Sequence, residues 1–164
     1  MNTQLLQRLI CWAFVALSSA LLAGCASTPD RPVTSVSVKD MVVQDAVVAR
    51  DIDSYGGILA PMGVADSLPN EGKVYFFVTT NWSDTAMKGG PQDVKWEWYT
   101  GEKVVSTFTT TLNFANSPDI CVGYRPARLL GVGQHRARLY IKDRASGEYV
   151  LVAEKTFAIT DIRK

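Results

Sequence analysis

Val94-Lys95-Trp96-Glu97-Trp98-Tyr99-Thr100-Gly101-Glu102-Lys103-Val104 is the stretch that decides the fold. Val94, Trp96 and Trp98 fall on one face of an extended chain, and Lys95 and Glu97 fall on the other. That period of two belongs to a strand with one buried side and one solvated side. Thr100-Gly101-Glu102 supplies a turn, and residues 103–114, rich in Val, Thr and Phe, return as a second strand. The pair reads as a hairpin. Burial of two large rings on the inward parity accounts for Trp96 and Trp98 without any ligand.

The same alternation recurs outward from this hairpin. His135, Ala137, Leu139 and Ile141 alternate with Arg136, Arg138, Tyr140 and Lys142. In residues 73–82, Val74, Phe76 and Val78 alternate with Tyr75, Phe77 and Thr79, so both faces are apolar, as in a strand covered on both sides. Residues 41–52 are valine-rich and read as strand. Residues 148–159 close the chain. Their apolar parity changes between Val150/Val152 and Phe157/Ile159, which predicts a bulge near Glu154. Residues 120–130 read as extended, with Pro126 marking an edge or a break. Residues 81–92 read as a loop. Residues 54–72 hold four glycines and two prolines and read as a long connection packed on the body. Turn-rich strands without a good helix predict an all-β antiparallel β-sandwich of about seven strands over residues 41–164.

Residues 1–24 have a different character. Arg8 precedes an uncharged apolar run over residues 9–22, which is too short for a membrane span of about 20 residues. The run ends in Leu22-Ala23-Gly24-Cys25, which resembles the lipobox of bacterial lipoproteins. The resemblance implies cleavage between Gly24 and Cys25, a diacylglyceryl thioether on Cys25 and acylation of its new amine. Several acyl chains make such an anchor durable. Asp after the cysteine usually retains such proteins at the inner membrane. Here Ala26 follows, so the resemblance implies an outer-membrane anchor with the domain on the periplasmic face. Residues 25–40 then read as the lipidated cysteine and a tether.

The later part of the chain resembles a small family of immunoglobulin-like domains found in bacterial periplasmic proteins and lipoproteins. The resemblance rests on VYFFVTTNW (74–82), VKWEWYTGEKV (94–104), GYRPARLLGVGQHRARLYIKD (123–143) and KTFAI (155–159). Where that family often has a tryptophan after the glycine, this chain has Gln134-His135. The family supplies no reaction, so no catalytic residue carries over.

Composition narrows the function classes. Removing residues 1–24 from 164 leaves 140, enough for one domain with its own core. Arg8 is the only charge removed from 17 basic and 16 acidic side chains, so the remainder is formally neutral. Nothing in that balance points to a nucleic-acid partner. Cys11 lies in the signal and Cys25 is the lipid site, which leaves Cys121 without an internal disulfide partner and, on this reading, shielded. His135 has the parity of a core residue. One histidine and one thiol make neither a zinc site nor a supported thiol-enzyme pair. Asp45, Asp51 and Asp53 lack the pattern of a calcium loop and read as a solvated face. Arg125, Arg128, Arg136 and Arg138 read as surface pairing partners. No cofactor, metal or catalytic residue is expected. The leading expectation is a non-enzymatic, lipid-anchored interaction or structural module whose partner is another envelope protein. The alternative is a glycan or small-ligand module using exposed aromatics, with Trp82, Tyr99 and the long 54–72 loop as the contact elements.

Overall fold

The computed structural model describes residues 37–83, 89–115 and 118–162. The signal peptide, Gly24 and Cys25 lie outside the described residues. The alternation around the two tryptophans appears in β5, Gly90–Thr100, where Gln92, Val94, Trp96 and Trp98 are buried between less buried neighbours. Gly101, with φ of 57°, takes the left-handed place in the two-residue turn that joins Thr100 to Lys103. β6, Lys103–Phe114, then returns along β5. On its other side β5 pairs antiparallel with β8, Gly133–Lys142, and β8 pairs with β9, Tyr149–Thr160.

The second sheet is built on β4, Lys73–Trp82, flanked by β1, Met41–Tyr55, and β7, Asp119–Pro126. Two shorter strands complete the fold, β2 at Ile58–Val64 and β3 at Ser67–Pro69. The sheet orders are β2-β1-β4-β7 and β3-β9-β8-β5-β6, and the two sheets enclose one core. This is an all-β, immunoglobulin-like sandwich with nine strands among the described residues. Antiparallel pairing holds throughout except where β3 runs parallel to β9.

Two expectations are corrected. Residues 54–72 contain β2 and β3, which is why the strand count exceeds seven. Gly56 and Gly57, at φ of 60° and 81°, close a two-residue turn between the paired Tyr55 and Ile58. Glycine takes such left-handed positions at no steric cost. Residues 127–130 form one helical turn, not extended chain. Ala127-Arg-Leu-Leu are good helix formers, and Gly131, at φ of 80°, stops them. The bulge expected near Glu154 is present in β9, at Val152. Leu139 pairs with Ala153 and Tyr140 pairs with Leu151, so both Val152 and Ala153 turn toward the core.

Aromatic rings set the core. Trp98 meets Phe157 edge-on at 6.1 Å, and Trp82 meets Phe114 edge-on at 6.2 Å. Trp96 lies beside Phe108 and over Gly123, where an added Cβ would come within 2.5 Å of the indole Cδ1. At the N-terminal side, Ser37 caps a short 3-10 turn, Val38–Asp40. Val38, assigned to the tether by sequence, is buried, and its amide donates to Asp143 Oδ1 at 3.0 Å. That bond and the Ser146 amide and hydroxyl hold the Asp143 carboxyl below the usual carboxylate range, against the opposing effect of burial.

Candidate functional site

Trp82 and Tyr99 do not offer the exposed faces expected of ligand contacts. Trp82 continues the inward parity of Val74, Phe76 and Val78 and is 2% exposed against Phe114. The ring of Tyr99 lies on the outer parity of β5, yet it is 8% exposed because two arginines from the next strand cover it. The Arg136 and Arg138 guanidinium carbons stand 5.0 and 4.8 Å from its centroid. Its hydroxyl donates to Glu97 Oε2 at 2.6 Å, and that bond, with burial, raises the phenol to about 12. Burial also works to raise the Glu97 carboxyl, but hydrogen bonds from Tyr99 and Lys95 outweigh it and hold that group low. Lys95 in turn contacts Glu97 at 2.9 Å and stands over the Tyr140 and Tyr149 rings. Arg138 pairs with Glu154, and Arg136 bridges Glu102 and Glu154. Arg136 and Arg138 are therefore brought together, but into a lattice of partners that already occupies them. Arg125 instead reaches the Thr107 carbonyl at 3.5 Å, and Arg128 stands exposed on the helical turn.

The other candidates resolve into structural roles. His135 is buried, with Nε2–H donating to the Gly131 carbonyl at 2.8 Å and Nδ1 lying 3.1 Å from Thr100 Oγ1. It thus ties the start of β8 to the turn before it and to the end of β5. Cys121 is fully buried, and burial, with the Asp119 charge, pushes its thiol up to about 12. The carboxylates of Asp45, Asp51 and Asp53 accept from the next residue's amide, at Ala46, Ile52 and Ser54. Among the described residues no cluster of histidine, cysteine and acidic groups could hold a metal ion.

The feature that packing of the body leaves unexplained is the far half of the β1–β2 hairpin. β1 pairs with β4 only as far as Ala49 opposite Tyr75. From there to the tip its only ladder is with β2. Asp51 and Asp53 satisfy the Ile52 and Ser54 amides, which lie past the end of the β4 ladder. Gly63, at φ of 63° opposite Arg50, bends β2 where the hairpin leaves the sheet. The tip then lines a cleft of about 390 Å³ in which Gly57, Ile58 and Leu59 meet Asn113, Pro118, Asp119 and Ile120. Asp119 pairs with Thr80, at the other end of β4 from Tyr75, so the hairpin turns back toward that end.

Pairing puts Tyr55, Ile58, Ala60 and Met62 on one side of the hairpin with Asp51 and Asp53. Tyr55 is 88% exposed, Ile58 68% and Met62 51%. The opposite side carries Ile52 and Pro61, which are half-buried. Sequence reading named the 54–72 stretch as a whole, as a binding loop beside Trp82 and Tyr99, and picked out none of its side chains, although Gly56-Gly57 between apolar residues was the available hairpin signal.

No family model matches the chain, and no curated protein matches it. Among solved structures it is similar to an immunoglobulin-like protein from Pseudomonas aeruginosa, at 13% identity and a TM-score of 0.43, over 73% of this chain and 96% of that one. It is also similar to the soluble domain of PmoD from Methylocystis sp., at 13% identity and a TM-score of 0.37, over 73% and 90% of the two chains. A third is the CARDB domain of a Pyrococcus furiosus protein solved with di-metal ions, at 12% identity and a TM-score of 0.34, over 80% and 97%.

Proposed function

We propose that this chain is a non-enzymatic interaction module, anchored by lipid on Cys25 to the outer membrane, which presents the β1–β2 hairpin to another envelope protein in the periplasm. The observation that carries the interaction is the exposed apolar row Tyr55, Ile58 and Met62 on a strand pair that continues past its ladder with β4. A two-stranded ribbon is marginal in water, and large apolar side chains on its solvent side add nothing to the body's own core. Contiguous apolar surface rimmed by charge, here Asp51 and Asp53, is the usual mark of a protein contact. The anchor rests on the lipobox sequence and on Ala26 after the cysteine.

Two variants test the reading. Cys25→Ser is expected to abolish lipid labelling and leave the precursor uncleaved. Tyr55→Ser combined with Ile58→Ser is expected to remove a cross-linked partner from membranes while leaving the unfolding midpoint unchanged, since both side chains lie outside the core. Recovery of the same partner at the same yield from the double variant would refute the hairpin as the contact.

A further inference from the structure

Free strand edges are pairing hazards, and folds usually blunt them. Three of the four edges here are blunted. β3 has only three residues, and the length of β9 that it leaves uncovered carries a bulge at Val152 and the charged pair Glu154-Lys155. β7 ends in Arg125-Pro126. β2 contains Pro61, and the alternation set by the Tyr55–Ile58 closing pair puts the proline nitrogen on the free side. β6 has none of these devices in its length. It is a 12-residue edge strand with no proline, and no charged residue occurs between Val104 and Phe114. Val104, Val105 and Phe108 are 43%, 41% and 51% exposed on it.

The direction of its free hydrogen-bonding groups is fixed by one contact. Arg125, from the opposite sheet, reaches the Thr107 carbonyl at 3.5 Å, so that carbonyl points off the edge, and this long contact is the one a second strand would displace or share. Antiparallel alternation then sends the amides and carbonyls of Thr107, Thr109 and Thr111 the same way. The side chains of these threonines stand on the outer face, where Thr111 donates to Asp93 at 2.9 Å.

We propose that β6 pairs antiparallel with β6 of a second copy of this chain, about a two-fold axis at Thr109, joining two five-stranded sheets into one. The occupant follows from the ladder's chemistry. About that axis Thr109 faces Thr109 and Thr107 faces Thr111, a row of threonine pairs, which are favourable cross-strand neighbours. Phe108 lies over Thr110 of the second copy and loses its exposure. An uncharged strand meets its own copy without like charges opposed. The nearest charges are Arg125 at the Thr107 carbonyl and its symmetry mate, about 13 Å apart along the ladder; the row Asp93, Lys95 and Glu97 on β5 stands about 14 Å from its own mate, three strand spacings away, and both separations exceed the screening length. A two-fold, self-complementary patch is the commonest route to a homodimer. The pairing segment, Thr107 to Thr111, shares no residue with the exposed row Tyr55, Ile58 and Met62, so variants in one leave the other intact and the inference stands or falls apart from the proposed partner contact.

Cysteine cross-linking in the full chain tests both the occupant and the register, with the parent chain, retaining Cys11, Cys25 and Cys121, as the control. Facing residues of a hydrogen-bonded pair have Cα atoms about 5.5 Å apart, within disulfide range. Thr109→Cys is expected to give a covalent dimer under mild oxidation. Thr107→Cys and Thr111→Cys alone are each four residues from their own copy, about 13 Å, and are expected to give none beyond the control. The two together are expected to restore the dimer. Thr109→Pro keeps the ladder to β5, because that amide points off the edge, and is expected to reduce self-association at least tenfold by sedimentation. Equal cross-linking at all three positions, no Thr109→Cys dimer while that thiol is readily alkylated, or a cross-link to a different protein would each overturn the proposal.

Discussion

Gly123→Ala tests the closest approach in the core. The new Cβ would lie 2.5, 2.7 and 2.7 Å from Cδ1, Cγ and Nε1 of Trp96. Those are ring atoms of a side chain that is 1% exposed and bounded on its other side by Phe108. The flat indole has no flexible end to move, so either β7 or β5 must shift. Overpacking of this kind costs about 1–3 kcal/mol. The entropy gained by replacing glycine in the unfolded chain returns only about 0.4–1 kcal/mol. We therefore expect a net loss of about 1–2 kcal/mol, read by urea unfolding with tryptophan emission as the probe. Trp96→Phe alone opens a cavity and is also destabilising, but its smaller ring makes room for the methyl group. In the Gly123→Ala background it should therefore cost at least about 1 kcal/mol less than in the parent, a coupling that a double-mutant cycle isolates. A Gly123→Ala protein within about 0.3 kcal/mol of the parent, or strictly additive single and double variants, would show that the two strands are not held apart by this contact.

Trp98→Ala removes a buried ring packed edge-on against Phe157 and is expected to cost about 3–5 kcal/mol in the same assay. The Cys121 thiol should resist alkylation at pH 8 and react at once in denaturant, with the native and denatured rates differing by more than a hundredfold. Because its folded value is raised to about 12, its contribution to stability is complete below about pH 8.5 and is lost as pH rises toward 12; Cys121→Ala should flatten that alkaline decline. Asp143 has a lowered value, so its contribution is present above about pH 3.9 and fades as pH falls through the folded value. Asp143→Asn should therefore reduce the slope of stability against pH in acid and leave the neutral-to-alkaline slope unchanged.

Much of the fold was legible because its central strands obey one rule along their whole length. Strand 73–82 was bounded correctly by alternation, and the strand read from His135 to Lys142 was found two residues short of its start at Gly133. β2 was hidden because Pro61 and Gly63 interrupt ILAPMGV, and an edge strand tolerates both. β3 was too short to show a period. Trp82 was misread despite its parity: it shares the inward side with Phe76 and Val78, and its place next to a loop carried too much weight. Tyr99 could not have been assigned from its own strand. Its burial comes from arginines on β8, and that register is set by pairing across the sheet. The hairpin surface was illegible for the same reason, since exposure of Ile58 and Met62 depends on where β4 ends beside them.

The bond between Val38 and Asp143 has a mechanical consequence. Val38 leads directly into β1 of one sheet, while Asp143 follows the last residue of β8 in the other. Beside it, the Ser83 amide donates to the Asp40 carbonyl at 2.8 Å and clasps the end of β4 to the same entry point. A pull on the chain ahead of residue 37 is therefore shared between both layers before β1 can peel from β4. Force spectroscopy from the N-terminal side should register a lower rupture force in Asp143→Asn, although the same change leaves both ladders intact.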